Sequence, residues 1–288
     1  MKLLPKKSLG QHFLTSKHVL EQIISSANIQ KNETILEIGP GTGILTEALL
    51  QTGAKIIAVE KDDRAQIFLK IKFDKEIRTG QLNLIHGDIL DEKLLNCPPS
   101  ADGVKSTNSS PSHNGVELSN YNYAIVANIP YYITGAILQK FLEQEPRPNR
   151  MVLLVQKEVA ERIVAKNTSE SDKNGKESIL SISVKAFGIP RIIAKVSKGA
   201  FSPPPTVDSA ILSITDISKK HFTDKNVEIP RFFDIVRAGF AHKRKFAIRN
   251  LETIIPPEKL EIIWQKLQLN PKIRAEDVSL EQWLEICE

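Results

Sequence analysis

Between residues 34 and 156, short runs of β-branched and aliphatic residues alternate with longer amphipathic stretches. That is how parallel strands linked by helices read in sequence. Strands are predicted at 34–38, 55–60, 82–86, 123–127 and 151–156, and helical spacing with few breakers predicts helices over 44–51, 64–73, 134–143 and 157–166. The fold class is therefore α/β, with a doubly wound sheet. Two more β-rich stretches, 179–195 and 207–215, have no long helix between them and predict an antiparallel pair closing the sheet edge.

The pattern changes in three places. Residues 98–120 are rich in Ser, Pro, Asn and Gly, with too little apolar content to offset the entropy of ordering, so a disordered insertion is expected. A second polar stretch, 167–177, reads as a surface loop. Beyond 216 the segments 232–251, 258–267 and 280–288 show helical spacing, with Ser279 and Gln282 set as a capping box before the last. Two domains follow: 1–216, α/β, and 217–288, small and helical.

Composition narrows the classes. With 41% hydrophobic and 25% charged residues in 288, the chain can bury a sizeable core. The longest apolar stretch, 124–138, is broken by Asn128 and Pro130 and falls short of the roughly 18–20 residues of a membrane span, so no membrane association is expected. Residues 1–14 lack the apolar centre of a secretory signal. Cys97 and Cys287 stand far apart without Cys or His at ligand spacing, which predicts neither disulfides nor a metal and favours the cytoplasm. A net charge of +5 is compatible with a polyanionic partner, but only its distribution decides that.

Glu37-Ile38-Gly39-Pro40-Gly41-Thr42-Gly43 follows the first predicted strand and precedes a helix, where glycines let backbone approach a ligand. A dinucleotide fingerprint needs its third glycine where Ile44 stands, so NAD is disfavoured. Glu60, roughly 20 residues beyond the first glycine, ends the next strand and is placed to accept two ribose hydroxyls. Asp88 ends the third and is placed to accept from an adenine amine. Each acid alone is an ordinary solvated strand end; a glycine turn and two acids at three successive strand ends together make a nucleoside site. With no Lys in the glycine turn to neutralise phosphates, S-adenosylmethionine is the expected cofactor.

Asn128-Ile129-Pro130-Tyr131 follows the fourth strand at the same sheet edge. An exocyclic adenine amine is a poor nucleophile because its lone pair is delocalised into the ring. Two acceptors holding its hydrogens, the Asn128 side-chain oxygen and a backbone carbonyl of the turn, direct that lone pair at a methyl donor. Tyr131 is placed to stack on the base, for about 1–3 kcal/mol. In isolation the tetrapeptide also reads as a helix start with tyrosines packed in a core; its position beside Gly39, Glu60 and Asp88 favours chemistry.

These segments, with Gly10-Gln11-His12-Phe13-Leu14 and Phe201-Ser202-Pro203-Pro204-Pro205-Thr206-Val207-Asp208-Ser209-Ala210, resemble the ribosomal RNA adenine N6-dimethyltransferases over nearly the whole chain, most of all the bacterial small-subunit (16S) enzymes. The resemblance implies a class I S-adenosylmethionine-dependent methyltransferase domain, Rossmann-like, with a helical C-terminal domain. It implies dimethylation of two adjacent adenines in a hairpin loop near the 3′ end of small-subunit rRNA. It further implies that His12, Leu14, Gly39, Gly41, Glu60, Asp88 and Asn128 bind the cofactor, and that Tyr131 and Phe201 sandwich the flipped base next to Asn128. Two departures stand out: His12 replaces an Asn found in several members, and 98–120 is longer than the usual connection.

Arg231, Arg237, His242, Lys243, Arg244, Lys245 and Arg249 interleave with Phe232, Phe233, Val236, Phe240 and Phe246. If 232–251 is one helix, Arg237 and Arg244, seven apart, share a face able to follow a phosphate backbone, and Lys6, Lys7 and Lys17 extend the strip. Small-subunit rRNA in an immature subunit is the expected partner of a monomeric enzyme. The competing readings are a large-subunit rRNA or DNA adenine methyltransferase, and an assembly or transcription factor acting by binding. DNA enzymes commonly carry Pro where Ile129 stands, and the joint presence of Gly39, Glu60, Asp88, Asn128 and Tyr131 favours an active enzyme over a binding protein.

Overall fold

The computed structural model describes residues 3–6, 10–91, 94, 118, 122–165 and 176–288. The expectations for 98–120 and 167–177 lie outside the described residues, apart from Leu118, Lys176 and Glu177. In chain order the strands are β1 Phe13–Leu14, β2 Thr34–Ile38, β3 Lys55–Glu60, β4 Leu82–His86, β5 Tyr123–Asn128, β6 Arg150–Gln156, β7 Ile189–Val196, β8 Phe201–Ser202 and β9 Ser209–Thr215. The helices are α1 Lys17–Ala27, α2 Ile44–Gln51, α3 Asp63–Lys72, α4 Asp74–Arg78, α5 Thr134–Glu143, α6 Lys157–Val164, α7 Ile179–Phe187, α8 Lys220–Asp224, α9 Ile229–Gly239, α10 Ala247–Leu251, α11 Pro257–Lys266 and α12 Leu280–Cys287. The chain divides into two compact units, Met1–Lys157 with Ile192–Thr215, and Glu158–Arg191 with Asp216–Glu288.

A seven-stranded sheet runs in the order β4-β3-β2-β5-β6-β9-β7. The strands from β4 to β6 are parallel, and β9 lies antiparallel to β6 from Met151↔Ile214 to Gln156↔Ser209. The chain winds outward from β2 to β4, then returns to lay β5 on the other side of β2, so the order reverses between them. Pairing of β2 with β5 covers Thr34↔Tyr123, Ile35↔Ala124 and Leu36↔Ile125. Both strands run on beyond it, to Ile38 and Asn128, each still paired with its outer neighbour, and where they no longer pair with each other the crevice opens in which doubly wound sheets bind ligands. Ile35, Ile56, Ala124 and Val126 are buried with Leu49, Leu69 and Ile23 from the covering helices, which anchors the strand ends.

Residues 179–195 do not form the expected strand throughout. They begin as α7 and turn to β7 only at Ile189. Ser181, Ile182, Ser183, Val184, Ala186 and Phe187 are all buried, so the helix has no broad polar face and its β-branched run reads as strand. Ser178 sets the helix start: its Oγ accepts from Ser181 N–H at 3.1 Å while its own N–H donates to Ser181 Oγ at 2.7 Å. The two strands do close the sheet edge, β9 antiparallel to β6 and β7 paired beside β9 as the last strand. No helix is predicted over α1, although Val19, Ile23 and Ala27 recur at helical spacing and are buried; Ser16 caps it by accepting from Val19 N–H.

The second unit clusters aromatic rings: Phe187 lies 5.1 Å from Phe222, and Phe232 meets Phe233 edge to face at 5.2 Å. Residues 232–251 are not one helix. Helix α9 stops at Gly239 and α10 restarts at Ala247. The buried Asn250 amide donates to the carbonyls of Gly239, at 2.6 Å, and His242, at 3.2 Å, satisfying groups that a helix end leaves open. A side chain on Gly239 would meet Trp283 at 2.2 Å. Arg237 and Arg244 therefore lie on different elements and share no helix face. The capping box of Ser279 and Gln282 forms as the spacing predicts. Among the described residues no helix is long and apolar enough to cross a membrane.

Candidate functional site

A cavity of about 250 Å³ lies at the carboxyl ends of the parallel strands, lined by the glycine turn after β2, the ends of β3 and β4, the segment after β5 and residues 10–14. All of these belong to the first unit.

Gly39, Gly41 and Gly43 have φ of +67°, +57° and +72°, in the left-handed region that side chains disfavour. A side chain on Gly43 would stand 2.5 Å from Phe73 and 2.8 Å from Leu69, so α3 packs directly on the turn. At Gly39 nothing lies within 4 Å, and the backbone faces open space in the cavity.

Glu60 is buried at the end of β3 and joins two loops: Oε2 accepts from Gly41 N–H at 2.9 Å and Oε1 from Asp62 N–H at 2.8 Å. Burial raises its pKa above the ordinary carboxylate value despite those N–H bonds. Asp62 is driven the other way, to about 2, mainly by its hydrogen bonds from Arg64. Asp62 also accepts from Gln11 Nε2 at 3.0 Å, tying the N-terminal segment to the loop that supports Glu60.

Asp88 accepts from Leu90 N–H at 3.0 Å and forms an ion pair with Lys61 Nζ at 2.7 Å. Partial burial works to raise its pKa, but the Lys61 bond and charge and the Leu90 N–H outweigh it, so Asp88 stays below the usual range and ionised. Sequence reading missed Lys61, because only the β3–β4 register brings it beside Asp88. Glu37, at the end of β2, is 1% exposed and its Oε2 has no partner.

Asn128 Nδ2 donates to the His12 main-chain carbonyl at 3.2 Å. Tyr131 Oη shares a 2.6 Å hydrogen bond with Ser209 Oγ, and its ring lies nearly parallel to that of His12, centroids 6.0 Å apart. His12 Nδ1 is 2.9 Å from the Pro203 carbonyl oxygen. The two distant motifs meet through a two-stranded ladder, Phe13↔Ser202 and Leu14↔Phe201, which nothing in the local sequence pattern signals. Leu14 borders the cavity from a buried position.

Phe201, expected to sandwich the base with Tyr131, lies beneath the site. It is 4% exposed, packed with Leu14, Val196 and Ile211, and it does not line the cavity. The ladder with Leu14 directs its ring into the core, and the ring beside Tyr131 is that of His12.

In the second unit, His242, Lys243, Arg244 and Lys245 form an exposed turn between α9 and α10. Arg237 pairs with Asp234 at 3.4 Å and Arg249 with Glu252 at 2.6 Å, whereas Lys243, Arg244 and Lys245 have no ion pair among the described residues. In the first unit Lys6 and Lys17 are exposed; Lys7 lies outside the described residues.

The cavity fits S-adenosylmethionine by its donor set. It offers open backbone at Gly39, two carboxylates at strand ends and a buried unpaired carboxyl oxygen suited to a cation. Lys72, the cation nearest the glycine turn, is engaged by Glu47 at 3.0 Å and by the Thr42 and Gly43 carbonyls at 3.3 and 3.4 Å, leaving it off phosphate duty. Among the described residues no group of His, Cys, Asp and Glu is arranged to hold a metal ion.

Residues 3–288 match the family model for ribosomal RNA adenine dimethylases. The ribosomal RNA small subunit methyltransferase A of Dehalococcoides mccartyi is 38% identical over 285 residues, 98% of this chain and 87% of that protein. The crystal structure of a dimethyladenosine transferase from Plasmodium falciparum superposes with a TM-score of 0.69 at 25% identity, covering 96% of both chains. That of the 23S rRNA methyltransferase ErmE shares the fold with a TM-score of 0.64 at 21% identity, over 95% of this chain and 97% of the other.

Proposed function

The chain belongs to the ribosomal RNA adenine dimethylase family, and from that membership we propose that it transfers methyl groups from S-adenosylmethionine to the N6 amines of two adjacent adenines in a 3′-terminal hairpin loop of small-subunit rRNA during ribosome maturation. The observation that carries this reading is the meeting of Asn128 and Tyr131 with Glu60, Asp88 and Gly39 around one cavity.

The cofactor supplies an electrophilic methyl on a sulfonium. Glu60 would accept from the ribose hydroxyls with the lone pairs its two N–H bonds leave, and Asp88, ionised and paired with Lys61, would accept from the adenine amine. Because the His12 carbonyl takes the Asn128 Nδ2 hydrogen, the amide is turned with Oδ1 as its remaining acceptor. Oδ1 and a carbonyl of the turn hold the two hydrogens of the target amine, which turns its lone pair toward the methyl and excludes competing orientations. Tyr131, fixed by Ser209, offers its ring face to the flipped base, with His12 on the same side of the site. Phe201 supports that surface from beneath, through Leu14.

The exposed cations of the 242–245 turn contact RNA phosphates, which sets affinity, while loop shape and the flipped base set specificity. The substrate is the immature small subunit in the cytoplasm, and the enzyme acts as a monomer. The test is methyl transfer from labelled S-adenosylmethionine to small subunits lacking the modification, with large subunits as control. Label recovered as N6-dimethyladenosine in small-subunit rRNA, and absent with Asn128→Ala, is expected. Label confined to large subunits moves the substrate to the activity named for ErmE. Tight cofactor and subunit binding without transfer moves the function to assembly.

A further inference from the structure

Of the acids bordering the cavity, Glu37 is left without a task. It ends β2 two residues before Gly39. Its side chain is 1% exposed, and Oε2 is both buried and unpartnered. Leaving a carboxylate oxygen unpaired inside a protein is strongly unfavourable unless the group is neutral or a cation arrives. The groups facing it are Thr46 from α2, whose hydrogen bonds favour the charged form but leave Oε2 unpartnered, Glu60 from β3 and Lys72 from α3. Lys72 is occupied by Glu47 and two loop carbonyls, and Glu60 repels a second negative charge.

We propose that Glu37 is a proton-exchanging carboxyl that reads the charge of the bound cofactor, ionised against the sulfonium form and neutral against the product form. The proposal rests on the cofactor reading given above and adds to it a role for one residue. Burial first, and then the nearby Glu60 charge, push the Glu37 carboxyl up to about 8. Near neutral pH it therefore holds a proton when no cation is beside it.

The balance is simple. As a sulfonium cation enters the cavity, the Glu37 O–H bond breaks, the proton passes to buffer, and the carboxylate that remains offsets the positive charge. When the methyl has left for the adenine amine, sulfur is neutral, the methylated N6 loses one of its hydrogens as a proton to solvent, and Glu37 takes up one proton in turn. Donor and product differ by that one charge, so a site with an ionisable acid holds the donor more tightly than its product, and more so as pH rises. The sign follows from linkage: the form that binds the cation is the deprotonated one, so donor affinity climbs with pH up to about 8, approaching tenfold per unit well below it, and then levels.

Titration calorimetry on the full chain at pH 7, in buffers of low and high ionisation enthalpy, counts the protons. The ligands are S-adenosylmethionine and S-adenosylhomocysteine, whose α-amino groups cancel in the comparison. The wild type should release close to one proton more with S-adenosylmethionine than with S-adenosylhomocysteine, and Glu37→Gln should remove that difference while still binding both. Equal proton counts for the two ligands, or a difference that survives in Glu37→Gln, overturns the proposal and leaves the cofactor reading intact. Absence of any binding heat overturns both. Should the variant not fold, as a thermal melt reports, the wild-type difference between ligands decides.

Discussion

The side-chain amide of Asn128 donates to the main-chain carbonyl of His12, 3.2 Å away and 116 residues earlier in the chain. The contact uses backbone on one side, so it is indifferent to whether residue 12 is His or Asn. What it requires is that Phe13 and Leu14 pair with Ser202 and Phe201, which sets the height of the His12 carbonyl over the end of β5. The orientation of the residue proposed to hold the target amine is thus decided by the N-terminal segment.

Replacing that amide with a carboxylate therefore does more than alter an acceptor. In Asn128→Asp an oxygen faces the His12 carbonyl where a donor stood, and the two repel. Loss of one preorganised transition-state interaction costs about 100- to 1,000-fold in kcat, and a drop of that order is expected in single-turnover methyl transfer, with the melting temperature shifted far less. Near-normal turnover would place the amine elsewhere.

Lys61 and Asp88 form an exposed pair, 57% and 37% accessible, so the bond is worth little to folding. Its effect is on the cofactor. Lys61→Met should raise the Kd for S-adenosylmethionine about two- to fivefold at low salt, and much less in high salt, where the wild-type pair is already screened. Equilibrium binding at two ionic strengths measures it, and a salt-independent change would contradict the account.

Asp62 carries a folded pKa of about 2, below its unfolded value, because Arg64 and Gln11 bond the charged form. A depressed carboxylate stabilises the fold above its unfolded pKa and loses that contribution as pH falls through the folded one. The stability difference between wild type and Asp62→Asn should be full above about pH 5 and shrink steadily from about pH 4 to 2. Denaturant melts across that range test it; a difference constant with pH would assign the effect to packing.

The turn 242–245 offers cations without an ion pair among the described residues, where Arg237 and Arg249 are each paired with an acid. Substituting Lys243, Arg244 and Lys245 together by Ala should weaken binding to small subunits and flatten its salt dependence, by roughly 0.7–0.9 in log–log slope for each phosphate that is no longer neutralised. The Kd for S-adenosylmethionine should not move. Arg237→Ala should have the smaller effect on subunit binding, its charge being shared with Asp234.

Strand and helix positions from β2 to β6 were legible in the chain, because a parallel strand buried on both faces is a continuous apolar run and its linking helices are amphipathic. The glycine turn, Glu60, Asp88 and Asn128 were legible for a related reason: sheet topology puts the carboxyl end of every parallel strand on one edge, whatever the side chains do. Helix α7 was not, since a helix buried nearly all round loses its period, and neither was the break after Gly239, which depends on Asn250 and Trp283 arriving from later in the chain.

Sequence by itself determined that the glycine turn, Glu60, Asp88, Asn128 and Tyr131 gather at one edge of the sheet. Tertiary structure alone decided their states: Glu37 with one buried oxygen unpartnered, Asp88 paired with Lys61, Asn128 turned by His12, and Phe201 buried with the His12 ring beside Tyr131. Local pattern reports burial and period along one segment. Charge state and side-chain orientation are set by neighbours from other segments, whose approach only the folded backbone brings about.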